Sequence, residues 1–261
     1  MTVIKQFGLQ RSGTNIVRAL LQINFEDVVV LQNFLGDKHT AISWEIMERN
    51  LRDQVPDEFG ISDTVRQEIS MNLTSRNLYF VFNIKDPITW INSYYKYQKL
   101  KFEHRNPGLE LSFDLDFAHR VLPRWAENVK SWLNFYLSNE DRCVVFQHET
   151  VLLGPSALLT QAKEKFGLIV AGDSIVDLLS GYALRGTDLH YGKELINEKV
   201  SFDRDYHLKG GWKRDIPSDI LSFSQSFMRE FFDREPHLKH LFNLDHLDGM
   251  SEPIPTRDSH A

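Results

Sequence analysis

The chain has a single cysteine among its 261 residues, Cys143, so it can form no disulfide within itself and holds no cysteine-rich zinc motif. That cysteine lies in the apolar run Cys143-Val144-Val145-Phe146, where it reads as an inert core thiol and not as a nucleophile. No apolar run approaches the length of a membrane span. No charged-plus-apolar leader is expected, because the first strand pattern begins almost at Met1. A cytoplasmic protein without a membrane span is expected. Basic excess is lacking too: Lys and Arg number 30 against 36 Asp and Glu, a formal net charge of −6. That balance argues against a nucleic-acid coat, although it leaves room for a local basic pocket. Internal repeats and low-complexity tracts are absent.

What is present is a hydrophobic content of 42%, enough to bury a sizeable core. Apolar runs predict strands at Val3–Phe7, Val28–Leu31, Leu78–Ile84 and Cys143–Phe146. Helical periodicity is read around Thr14–Gln22, Ala41–Arg49, Thr64–Asn72, Ile88–Leu100, Phe117–Leu137, Ser156–Phe166 and Ser218–Asp233. This alternation implies an α/β fold with a central parallel sheet and helices on both faces. One principal domain over residues 1–245 is expected, followed by a poorly ordered tail, 246–261, that contains Pro253 and Pro255. Residues 186–215 are polar and short of apolar periodicity, and a loop of that length reads as a lid.

The most informative segment is Gly8-Leu9-Gln10-Arg11-Ser12-Gly13-Thr14-Asn15, between the first strand and the first helix. Glycines let backbone turn sharply and approach a ligand, and the helix start presents unpaired N–H groups and the positive end of its dipole to an anion. Arg11, Ser12, Thr14 and Asn15 add side-chain donors, and the Arg11 fork suits a terminal anionic group and the oxygen leaving from it. The two glycines have the spacing of a nucleotide-binding P-loop. However, Thr14 and Asn15 stand where such a loop carries its Lys and its magnesium-binding Ser or Thr. A second motif follows the run Leu78–Ile84, where Asp86 is a good N-cap and Pro87 takes the first helical position. Lys85 therefore projects at the carboxyl end of a strand, the edge of an open parallel sheet at which ligands bind.

Gln10-Arg11-Ser12-Gly13-Thr14 resembles the 5′-phosphosulfate loop of the sulfotransferases, which typically reads Pro-(Lys/Arg)-Ser-Gly-Thr-Thr; the chain departs at Gln10 and Asn15. Lys85-Asp86-Pro87, with Ser93 eight residues beyond Lys85, is similar to the family's 3′-phosphate motif, Lys85 standing where an Arg is usual. Tyr206-His207-Leu208-Lys209-Gly210-Gly211-Trp212-Lys213 is similar to a shortened form of the segment that closes over the nucleotide, which carries Lys209 and the backbone of Gly210 into the binding set. The passage ending Phe146-Gln147-His148-Glu149 is also family-like, with Glu149 in a structural part.

The resemblance implies a P-loop NTPase-like sulfotransferase fold. It also implies transfer of a sulfuryl group from 3′-phosphoadenosine 5′-phosphosulfate to a hydroxyl or amine of an acceptor, such as a carbohydrate or small metabolite. Adenosine 3′,5′-bisphosphate would be the product, and neither a metal nor a nucleic acid would be required. Arg11 would stabilise charge on the leaving oxygens. Lys38-His39 is similar to the family's Lys-x-His segment without the intervening residue, so His39 is the first choice of general base and Glu45 the alternative. A P-loop kinase, or a nucleotide-binding protein without turnover, remains as the competing reading.

Overall fold

The computed structural model describes residues 1–42, 62–73, 77–176, 204–242 and 244. Four strands form one all-parallel sheet: β1 Thr2–Gly8, β2 Val28–Leu31, β3 Leu78–Ile84 and β4 Cys143–Gln147, in the order β2-β1-β3-β4. The chain leaves β1 through helix α1, Thr14–Asn24, and returns as β2 on one side of β1. It next pairs as β3 on the other side, so the direction of winding reverses between β1 and β3. Such a reversal opens a crevice at the carboxyl ends of the two strands. In this chain those ends are Gly8 and Ile84, and the β1–β3 register sets Gly8 opposite Asn83.

The strands are buried on both faces, which is why they read as continuous apolar runs and not as alternations. On one face Ile4, Val30, Val81, Val144 and Phe146 pack with residues of α1 and of α6, Ser156–Phe166. On the other, Phe7, Phe80, Phe82 and Val145 meet helices α3 Pro87–Arg105, α4 Leu115–Ser138 and α8 Ser218–Arg234. Aromatic contacts dominate this second layer: Phe135 lies edge-on to Phe80 at 4.9 Å and Phe231 edge-on to Trp125 at 5.1 Å. Cys143 is fully buried and its thiol is pushed up to about 12 by that burial, as suits a packing residue.

Helix starts follow local chemistry. Asp86 Oδ1 accepts from Ile88 N at 2.9 Å and Thr89 N at 2.8 Å, with Pro87 in the first turn. Asp114 accepts from Phe117 N at 2.9 Å to open α4, and Ser62 from Val65 N at 3.3 Å to open α2, Asp63–Asn72. Two short helices were not anticipated: α5, His148–Leu153, directly after β4, and α7, Arg204–Leu208, with a 3-10 turn at Gly211–Asp215. Residues 204–208 and 211–215 of the stretch read as a lid are thus helical, joined by a turn at Lys209 and Gly210, and they are anchored by Trp212, 1% exposed. Asn92 Nδ2 on α3 donates to Tyr206 Oη at 3.1 Å and holds this segment against that helix. Of the helix expected over Ala41–Arg49, only Ala41 and Ile42 are described, and neither is helical. Glu45 and the tail from 245 onward lie outside the described residues.

No helix among the described residues is long and apolar enough to cross a membrane. Because Asp86 satisfies two buried amides, Asp86→Ala is expected to lower the unfolding free energy by about 1–2 kcal/mol, whereas Asp86→Asn retains most of it. Urea midpoints at unchanged slope measure the difference; equal midpoints for Asp86→Ala and wild type would remove the cap from the account.

Candidate functional site

The loop after β1 is fixed from within. A side chain at Gly8 would meet Thr14 Cγ2 at 2.6 Å, Asn83 Cβ at 2.7 Å and Ser12 Oγ at 2.9 Å, so only glycine lets the loop fold back over the end of β3. Arg11 (φ 71°) and Gly13 (φ 86°) both take the left-handed conformation, which costs Arg11 strain that a glycine would not bear. The carbonyls of this segment are engaged. Leu9 O accepts from Ser12 Oγ at 2.7 Å, Gln10 O from Trp90 Nε1 at 2.9 Å, and Thr14 O from Gln6 Nε2 at 2.8 Å. At the start of α1, by contrast, no side chain caps the helix and no acidic residue occupies the first turn. Amide donors and the positive dipole end are thus directed to the crevice. Arg11 is exposed beside it, its guanidinium 5.9 Å from the Tyr97 ring centroid.

Lys85 lies at the end of β3, 2% exposed, and its Nζ donates to Ser93 Oγ at 2.9 Å, so these two predicted residues form one unit. Burial lowers the Lys85 ammonium to about 8, opposed by Glu149 and Asp86 and reinforced by Arg11 and Lys96. His207 is pushed to about 3 by burial, then by Lys85, Arg11 and Lys96. Cationic groups therefore converge here from the loop, β3 and α3 around a neutral His207 on α7, and the repulsion among Arg11, Lys85 and Lys96 is relieved by an anion.

Lys209, predicted for this role, is 74% exposed at its side chain and pairs with Asp205 at 2.7 Å. The reason is helical geometry, since residues two apart point to different sides of a helix and His207 is the one turned inward. Gly210 takes a left-handed φ of 71° that leads into the turn held by Trp212, whose Nε1 donates to His207 O at 3.2 Å. Trp212 is a packing anchor.

His148, the first residue of α5, closes the crevice from β4. Its ring lies so near Gly13 that a Cβ there would sit 2.9 Å from Nδ1, and it stands edge-on to His207 at 5.4 Å. Sequence reasoning did not place His148 or His207 in the site, although the position of His148 at a strand's carboxyl end was a usable signal. Gln6 and Asn83 were missed as well. Under the loop, Lys38 Nζ donates to Gln32 Oε1 at 2.6 Å, Gln32 Nε2 to Gln6 Oε1 at 2.7 Å, and Gln6 Nε2 to Asn83 Oδ1 at 2.7 Å. This buried chain joins β2, β1 and β3 beneath the crevice. Asn83 Nδ2 has no acceptor among the described residues, a donor left over at its floor.

His39 meets the loop from the other side. Its Nδ1 hydrogen-bonds the carbonyl of Gly8, which can only accept, so Nδ1 carries the proton and Nε2 the lone pair. The segment around it is pinned by Gly8 N to Lys38 O at 2.8 Å and Trp132 Nε1 to Thr40 O at 2.8 Å. Burial, then Lys38, lowers the ring to about 4. His39 is thus neutral near pH 7 with one basic nitrogen available. Among the described residues no three His, Cys, Asp or Glu side chains gather as a metal-binding group.

Comparison of the chain with protein-family models finds no match, and comparison with curated proteins finds no significant one.

The two lowered histidines give a pH dependence whose sign is fixed by linkage. Below the ordinary value of 6.5 the unfolded chain takes up protons at His39 and His207 that the folded chain refuses until about 4 and 3. Stability is therefore full above pH 6.5 and falls as the pH drops from there toward 4. Each histidine costs on the order of 1 kcal/mol of stability at pH 5 after solvent screening. Melting temperatures of wild type and His39→Asn/His207→Asn measure this, and the double variant should show the flatter acid limb; parallel curves would contradict it.

Proposed function

We propose that the chain is a sulfotransferase of P-loop NTPase-like fold, moving a sulfuryl group from 3′-phosphoadenosine 5′-phosphosulfate to a hydroxyl or amine. The observation that supports the reading is the convergence of two groups of donors suited to anions at the winding reversal of the sheet. One is the uncapped start of α1 with its Gly8–Asn15 loop; the other is the buried Lys85–Ser93 pair. Two sites fit a nucleotide that bears separate 5′ and 3′ phosphate groups. The amides at the start of α1 with Thr14 and Asn15 would hold the 5′ end, Ser12 bracing the loop through its two hydrogen bonds to Leu9 O, and Lys85 with Ser93 would hold the 3′-phosphate. Thr14 and Asn15, in place of Lys and Ser or Thr, disfavour magnesium-bound ATP.

The donor supplies an activated sulfuryl group. His39 Nε2 takes the acceptor proton as the acceptor oxygen or nitrogen bonds to sulfur, while the bond from sulfur to the phosphate oxygen breaks and adenosine 3′,5′-bisphosphate leaves with its electron pair. Arg11 and the loop amides stabilise the charge gathering on that oxygen without reorganisation at the moment of transfer. An incoming polyanion also raises the depressed pKa of His39, which strengthens it as a base.

A thermal-shift comparison tests the reading. Adenosine 3′,5′-bisphosphate at about a hundred times its Kd should stabilise by about 2.7 kcal/mol, and Lys85→Ala or Arg11→Ala should abolish most of the shift. ATP with magnesium should give little. Stabilisation by ATP-magnesium alone would sink the reading in favour of a kinase. With radiolabelled donor and a panel of phenols, sugars and amines, His39→Asn should cut transfer by about 10²–10⁴-fold; bisphosphate binding with no transfer to any acceptor would mark a binding protein.

A further inference from the structure

A cavity of about 300 Å³ opens at the corner where the far half of α3 meets the start of α4, distinct in its lining from the crevice. Its walls are aromatic, with Tyr94 and Phe117 buried and their rings 6.2 Å apart, and Phe102 beside them. Its rim carries Lys101, Arg105 and Arg120, and no acidic residue lines it. Other lysines on and around α3 are matched: Lys99 pairs with Glu103 at 3.6 Å, and Lys96 with Asp215. Among the described residues no carboxylate pairs with Lys101, Arg105 or Arg120. Two of the three cations lie over rings, Arg120 Cζ 5.6 Å from the Phe117 centroid and Lys101 Nζ 4.4 Å from that of Tyr97. Three like charges over an apolar floor repel one another, and a single anion with a flat body satisfies floor and rim together. The volume lies at the lower end of the range of small-molecule sites.

We propose that this cavity is a second binding site, for a small ring-bearing organic anion such as an aryl phosphate, sulfate or carboxylate. The ring lies against Tyr94, Phe102 and Phe117, and the anionic group meets Arg105, Arg120 and Lys101. The site does not depend on sulfuryl transfer. Its residues are separate from the Gly8–Asn15 loop, Lys85 and His39, so its failure and the failure of that function are read independently.

The test uses 1-naphthyl phosphate, followed by titration calorimetry on the full chain. Wild type should bind it, and Arg105→Gln and Arg120→Gln should each weaken binding about tenfold. Lys85→Ala should leave it unchanged, as should saturating adenosine 3′,5′-bisphosphate. Both arginines are exposed, so these variants are expected to fold, and their melting temperatures check that. Absence of binding overturns the proposal, and so does binding that falls in Lys85→Ala but survives both arginine variants, which would place the probe in the crevice. Inorganic phosphate binding as tightly as the naphthyl ester would overturn the ring-bearing class.

Discussion

Everything at the crevice depends on the absence of a side chain at residue 8. Three groups crowd the space a Cβ would fill there: Thr14 from α1, Asn83 from β3 and Ser12 from the loop itself. The backbone of Gly8 also receives His39 at its carbonyl and gives its N–H to Lys38 O. The end of β1 is therefore the junction at which the loop, the neighbouring strand and the segment carrying the basic nitrogen are held together. A methyl group there would separate all three, with no flexible chain end to yield, since one of the obstructing atoms is the Cβ of Asn83.

Beneath that junction the chain runs a polar relay through what is otherwise an apolar sheet. Lys5 and Gln6 are fully buried, Asn83 nearly so, and each is satisfied in part by partners from another strand or loop; Lys5 Nζ donates to Gln32 O at 2.7 Å and Gly36 O at 2.6 Å. Such groups stabilise only in one arrangement, because any shift in register leaves a donor or acceptor stranded in low dielectric. The relay thus gives the loop a defined floor where aliphatic packing alone would tolerate sliding. It also sets Lys38 within the core while its neighbour His39 meets the carbonyl of Gly8.

How much of this was legible in the sequence depends on the range of the interaction. Continuous apolar runs placed all four strands to within a residue of their ends, because burial on both faces needs no knowledge of the partner strand. Asp86-Pro87 announced the start of α3 by local hydrogen bonding alone. Lys85 and Ser93 were paired through the resemblance, and the structure brings them to 2.9 Å. By contrast, α5 is six residues long, too short to display a period, and the site residue His148 went unread with it. Gln6 and Asn83 find each other only through the β1–β3 register, which no local pattern encodes. The choice between His207 and Lys209 turned on which way one short helix faces, and a one-dimensional motif cannot say that.

The low proton affinity of the crevice has a consequence for any ligand that enters it. Lys85, held near 8, and His207, held near 3, lie below their ordinary values because burial disfavours their charged forms and other positive groups lie close by. A bound anion opposes the second influence, so both groups hold their protons more tightly when it is present. Association is then a three-body event of protein, anion and hydrogen ion, whose measured heat includes the ionisation of the buffer and whose affinity declines as the solution becomes alkaline.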